Sequence, residues 1–103
     1  MTELTRDNFK KEVEDYDGLI VIDLWASWCG PCMMLAPKID ELEREMPDVK
    51  FCKINVDDER ELAMQFKVES IPMIAVVKDN TFLDFSVGYV LKERLEKMIN
   101  EYR

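Results

Sequence analysis

The hydrophobic positions of this chain change period from segment to segment, and those changes predict its elements. Phe9, Val13 and Tyr16 recur at i, i+4 and i+7, the spacing of a helix that buries one face. Thr5 is placed to cap that helix and Asp17-Gly18 to end it, because Gly readily takes positive φ. Leu19 to Trp25 is apolar nearly throughout rather than alternating, as expected of a strand covered on both faces. A helix is predicted from about Pro31 to Met46, with Leu35, Ile39, Leu42 and Met46 in one stripe and Pro37 expected to kink it. Val49 to Val56 reads as a second strand, and Asp57 or Asp58 as the cap of a short helix with Leu62, Ala63 and Phe66 inward. Met73 to Val77 and Thr81 to Val87 are two further strands. Asp79-Asn80 between them tolerates positive φ and predicts an antiparallel hairpin. A last helix runs from about Leu91 to the end, with Leu91, Leu95, Met98, Ile99 and Tyr102 on one face. The order α-β-α-β-α-β-β-α mixes parallel crossovers with a final hairpin, which implies an α/β fold with a mixed sheet between helices.

Composition narrows the possibilities. The chain has 103 residues, 48% of them hydrophobic, enough for a single domain over 1–103 with one core. With only three Gly and four Pro it is neither collagen-like nor of low complexity. No apolar run approaches the ~20 residues of a membrane span, so no membrane association is expected. Fourteen Lys and Arg against 22 Asp and Glu leave a net charge of −8, which argues against nucleic acid and reads as the solvated surface of a monomer. There is no His, which removes His-based triads, His metal ligands and His pH switching together. The segment Met1 to Arg6 lacks the basic-then-apolar layout of a signal peptide. A cytoplasmic location is therefore expected, where structural disulfides are rare, and the three cysteines need another account.

The sharpest feature is Trp28-Cys29-Gly30-Pro31-Cys32, set between a buried strand and a helix. The amino end of a helix carries partial positive charge and free N–H groups, which favour a thiolate. Cys29 is expected at the helix start, exposed for attack, with Cys32 one turn on and within bonding reach. Pro31 fits the first turn without loss of a hydrogen bond. Structural zinc usually takes four Cys or His ligands, whereas this chain offers Cys29, Cys32 and a distant Cys52, so no metal is expected. Two inert core thiols are a poorer reading, given the Gly-Pro between them. Cys52 itself reads as a small buried hydrophobe. Asp23 lies inside the apolar strand, where burial raises a carboxyl pKa unless a neighbour such as Lys53 pairs with it.

Trp25-Ala-Ser-Trp-Cys-Gly-Pro-Cys32 resembles the active-site segment of the thioredoxin family. The resemblance runs over essentially the whole chain, through Asp23, Pro37, Lys53-Ile-Asn-Val-Asp57, Ile71-Pro72 and Val87-Gly88. It implies a thioredoxin fold, a central mixed β-sheet flanked by four helices, with a short extra strand near Thr2 to Leu4. It also implies a general protein-disulfide reductase in which Cys29 attacks and Cys32, deprotonated with help from Asp23, resolves. Gly30, Pro31 and Lys53 would tune the pair. Ile71-Pro72 would form a cis-proline turn facing the cysteines, and Trp28, Ile71, Pro72, Val87 and Gly88 an apolar platform for substrate, with Trp25 in the core. The implied partners are disulfide-containing target proteins and an external thioredoxin reductase. The chain has no dinucleotide fingerprint and no room for such a domain, and no bound cofactor is expected. A disulfide oxidase or isomerase shares the fold, and a pure binding module is the alternative from another class.

Three positions depart from the family pattern. Met33 stands where Lys or Arg is frequent, Glu69 where Arg is frequent, and Asn80 where Gly is common in the hairpin. The first two remove positive and add negative charge near Cys29, which is expected to raise its pKa and make the couple at least as reducing as an ordinary family member. Met33 and Met73 are expected near the dithiol as soft contact surface.

Overall fold

The apolar run predicted as a doubly covered strand is the middle of the sheet. In a computed structural model that describes residues 1–103, β2 (Leu19–Trp25) lies between β3 (Lys50–Asn55) and β4 (Met73–Lys78). The full order is β1-β3-β2-β4-β5, with β1 at Thr2–Glu3 and β5 at Thr81–Val87. β1 and β2 run parallel to β3, whereas β4 is antiparallel to both β2 and β5. Four helical segments cover the sheet: a short turn at Lys10–Glu14, α1 (Gly30–Glu45), α2 (Arg60–Gln65) and α3 (Lys92–Asn100).

Strand alternation divides the core in two. Ile20, Ile22 and Leu24 of β2 face a cluster with Val13, Leu62 and Phe66, on the side of the first turn and α2. Leu19 and Val21 face the other way, against Leu35, Ile39 and Leu42 of α1 and Leu95 and Ile99 of α3. The same alternation puts Asp23 on the α1 side.

Several local expectations change. The first helix is a single π-helical turn, closed by the Asp15 N–H donating to the Lys10 carbonyl at 2.8 Å. Thr5 does not cap it; the Thr5 N–H instead donates to Asn8 Oδ1 at 2.8 Å, in a turn. Lys50 Nζ takes the Glu12 carbonyl at 2.8 Å, the acceptor a continuing α-helix would need for Tyr16. Pro37 sits inside α1 without interrupting it. Neither Asp57 nor Asp58 caps α2: its N-cap is Glu59, with no side-chain capping bond. Leu91 is the exposed N-cap of α3, not part of its buried face. The hairpin forms as expected, with Asp79 and Asn80 at φ 51° and 57°.

Gly18 joins the first turn to β2 at φ +143°, and a Cβ there would stand 3.0 Å from the Tyr16 ring. Gly18→Ala therefore combines backbone strain with a clash, and is expected to cost about 1–3 kcal/mol. The measurement is the urea midpoint at unchanged slope; a midpoint within error of the parent's would show that the junction relaxes freely.

Candidate functional site

The site lies at the end of the sheet where β2 runs out. Beyond Trp25 the chain turns, the Cys29 N–H donating to the Ala26 carbonyl at 3.2 Å, and enters α1. Cys29 is the N-cap residue, and its Sγ accepts the Cys32 N–H at 3.2 Å. This is the anion-favouring geometry of a helix start, with a sulfur as the capping atom. Pro31 occupies the first turn, where no N–H is needed. Cys29 and Cys32 are joined in a disulfide with Cα atoms 5.2 Å apart. A Cβ added at Gly30 would meet nothing within 4 Å, so packing does not require the glycine.

Cys29 differs from expectation: only 4% of the residue is exposed. In the disulfide its sulfur turns inward between the helix start and the Ile71 carbonyl, 3.8 Å away. Ile71-Pro72 is a cis peptide facing the pair. The Gly88 N–H donates to the Pro72 carbonyl at 2.8 Å, which locks the loop to the end of β5. Gly88 sits at φ +84°, in the region that favours glycine. Of the expected platform, Trp28 (70% exposed) and Val87 (46%) are open to solvent. Ile71 and Gly88 are half-buried, and Pro72 is buried. Met33 is exposed as expected, whereas Met73, the first residue of β4, is buried with its side chain in the cluster on the α2 side. Trp25 is half-buried, not fully core.

Local pattern offered Asp57 as a helix cap, and the fold gives it a different contact. Its Oδ2 accepts the Trp28 indole N–H at 2.7 Å, while its own N–H donates to Asn55 Oδ1 at 2.9 Å. The exposed indole is thereby held from the end of β3. No spacing rule connects positions so far apart, so the sequence carried no signal for this pair.

Asp23 is 5% exposed, and burial pushes its carboxyl up to about 7. The Lys53 ammonium opposes that rise and Asp40 adds to it. Lys53 is Asp23's register partner in β3, yet it forms no ion pair there; its ammonium lies over the Trp25 ring, 5.5 Å from the centroid. Asp23 Oδ1 has no hydrogen-bond partner in the protein. Asp23, Cys32, Met33, Asp40 and Lys53 line one cavity of about 160 Å³, large enough to admit water. Cys52 is fully buried, its thiol pushed up to about 11, and packs as an apolar side chain. No three His, Cys, Asp or Glu side chains gather in a metal-holding group. No helix is long and apolar enough to cross a membrane.

Comparison with known proteins settles the family. The thioredoxin family model matches residues 1–101. The chain belongs to the thioredoxin family. It is similar to the thioredoxin of Bacillus subtilis, 43% identical over 90 residues, or 86% of each chain. It is 39% identical over 101 residues to that of Listeria monocytogenes, covering 97% of this chain and 96% of the relative. The X-ray structure of Fasciola hepatica thioredoxin superposes with a TM-score of 0.93 over the full length of both chains, at 34% identity. The five-stranded mixed sheet with four helices is thus a thioredoxin fold, and the Cys29–Cys32 pair occupies the Cys-x-x-Cys position of the family.

With no His in the chain, Asp23 is the side chain placed to titrate near neutral pH. Below about pH 4 it is protonated whether the chain is folded or unfolded, and costs nothing. Between the ordinary 3.8 and about 7 only the unfolded chain releases the proton, so stability falls as pH rises. Above about 7 the whole penalty is present, on the order of 4 kcal/mol at about 1.4 kcal/mol per unit. Asp23→Asn should be more stable than the parent at pH 9 and converge with it near pH 4, followed by urea unfolding of the disulfide form. Parallel pH profiles for the two proteins would show an unshifted carboxyl.

Proposed function

We propose that residues 1–103 form one domain that reduces protein disulfides through Cys29 and Cys32. The observation that carries this reading is the Cys29 sulfur itself. It caps α1, accepts the Cys32 N–H, and lies against the cis-proline loop, with a buried carboxyl behind its partner. The Cys29 thiolate attacks one sulfur of a target disulfide, and the other sulfur leaves as a thiolate. Cys32 then gives its proton to the Asp23 carboxylate, through the shared cavity, and attacks the Cys29 sulfur. The bridge between Cys29 and Cys32 closes, the second target thiol departs, and two electrons have passed to the target. A proton acceptor working near neutrality matches the pH at which the transfer must run.

Gly30 and Pro31 set the helix start, while Lys53 restrains the rise of the Asp23 pKa. Trp28, Ile71 and Val87 offer the apolar rim on which a target rests, and Pro72 and Gly88 hold that rim in shape. Membership of the family implies disulfide-bearing targets in general and re-reduction by a thioredoxin reductase. The reading is of a cytoplasmic monomer that needs no bound cofactor, its net charge of −8 keeping it soluble.

Cys32→Ser is expected to accumulate a covalent adduct with reduced-and-reoxidised insulin or a similar disulfide protein, visible by mass and released by dithiothreitol. Cys29→Ser should form no adduct and show no turnover; turnover by that variant at the parental rate would sink the assignment. Met33 and Glu69 place no positive charge beside the dithiol, so the couple should equilibrate at or below about −270 mV. A value nearer about −180 mV would point to disulfide formation or shuffling instead.

A further inference from the structure

The antiparallel register sets Phe82 opposite Val77, Phe85 opposite Ala75 and Val87 opposite Met73. Val77, Ala75 and Met73 all belong to the cluster on the α2 side, so Phe82, Phe85 and Val87 share that face. Simple alternation would separate positions 82 and 85; a bulge opposite Val76/Val77 absorbs one residue and brings them together. The rings form a ladder, Phe66 to Phe82 at 5.9 Å between centroids and Phe82 to Phe85 at 5.9 Å. Only the Phe66 end is buried: Phe82 is 42% and Phe85 53% exposed, on the edge strand of the sheet. Together with Met73, Val87 and the loop at Glu69, they line a groove of about 580 Å³.

We infer that this groove binds the apolar flank of the disulfide-bearing target, as a specificity surface beyond the redox rim. The inference rests on the reductase reading, which requires a target sulfur to reach Cys29. Continuity chooses the occupant. Val87 closes the groove at one end, and the next residue, Gly88, is hydrogen-bonded to the Pro72 carbonyl on the loop facing Cys29. A polypeptide whose cysteine meets Cys29 and whose chain runs along β5 therefore lays its next residues over Val87, Phe85 and Phe82. From Val87 to Phe82 the strand covers about 15 Å, which an extended segment of about five residues spans. Apolar side chains at alternate positions of that segment would point into the groove, and exposed apolar surface of this kind marks a contact site.

The test uses two synthetic peptides with the same intramolecular disulfide, one with Phe at alternate flanking positions and one with Ser there. Hydroxyethyl disulfide, which has no flanks, reads the dithiol alone. The parent is expected to show a kcat/KM about tenfold higher for the Phe peptide, the ratio that one well-buried ring gives. In Phe85→Thr and in the Phe82→Thr, Phe85→Thr double variant that ratio should fall toward one. Being a ratio within one protein, it is unaffected by any unfolded fraction. Equal rates on the two peptides in the parent would overturn the groove assignment while leaving the reductase reading intact. No reduction of hydroxyethyl disulfide by the parent would instead overturn the reductase reading. A parent that sediments as a dimer, with Phe85→Thr monomeric, would show that a second copy fills the groove, and would overturn the inference as well.

Discussion

Burial of β2 on both faces is the constraint from which the rest of the molecule follows. A strand covered on both sides must be apolar at successive positions, and Leu19 to Leu24 meets that demand everywhere except at Asp23. The strand cannot turn this carboxyl to solvent, because both of its faces are covered: a slip of one residue would only move Asp23 from the layer under α1 to the layer on the α2 side. The acid is therefore held in an apolar layer under α1, where ionisation is costly and its pKa rises to about 7. The same strand delivers Trp25 and the following turn to the sheet end, and so fixes where α1 and its N-cap sulfur begin. Ionised Asp23 costs the fold stability, and the carboxyl shares its cavity with Cys32.

The electrostatics of the dithiol follow from how little charge surrounds it. Support for a Cys29 thiolate comes from the helix start and the Cys32 N–H at 3.2 Å, both fixed parts of the backbone. Lys53, which lines the nearby cavity, lies over the Trp25 ring rather than paired with Asp23. Attraction from Lys53 thus moderates the Asp23 pKa without abolishing its rise. Backbone donors cannot move away as a mobile side chain can, so this support for the thiolate is built into the fold.

Much of this was legible in the residues. The strands, the hairpin at Asp79-Asn80 and the main helix follow from apolar period and turn chemistry, and the Cys29–Cys32 pair from its place between strand and helix. What escaped was decided by contacts between distant segments. Lys50 Nζ donates to the Glu12 carbonyl near the point where the first helix ends, short of the Tyr16 that periodicity had included. Trp28 claims Asp57, which local pattern had placed as a cap. Cys29 lies under the rim because its sulfur faces Cys32 and the Ile71 carbonyl, neither of which a one-dimensional spacing positions. The bulge at Val76/Val77 defeats the two-residue period and collects Phe82, Phe85 and Val87 on one face.

The division has a physical basis. Period, capping and turn preference act over a few residues, so the order of elements, the redox pair and a carboxyl within an apolar strand could be read from the sequence by itself. Depth, register and the pairing of side chains far apart in the chain depend on how the elements pack. Only the tertiary structure decided that Asp23 and Cys32 share a cavity, that Asp57 steadies Trp28, and that an aromatic groove opens between α2 and β5.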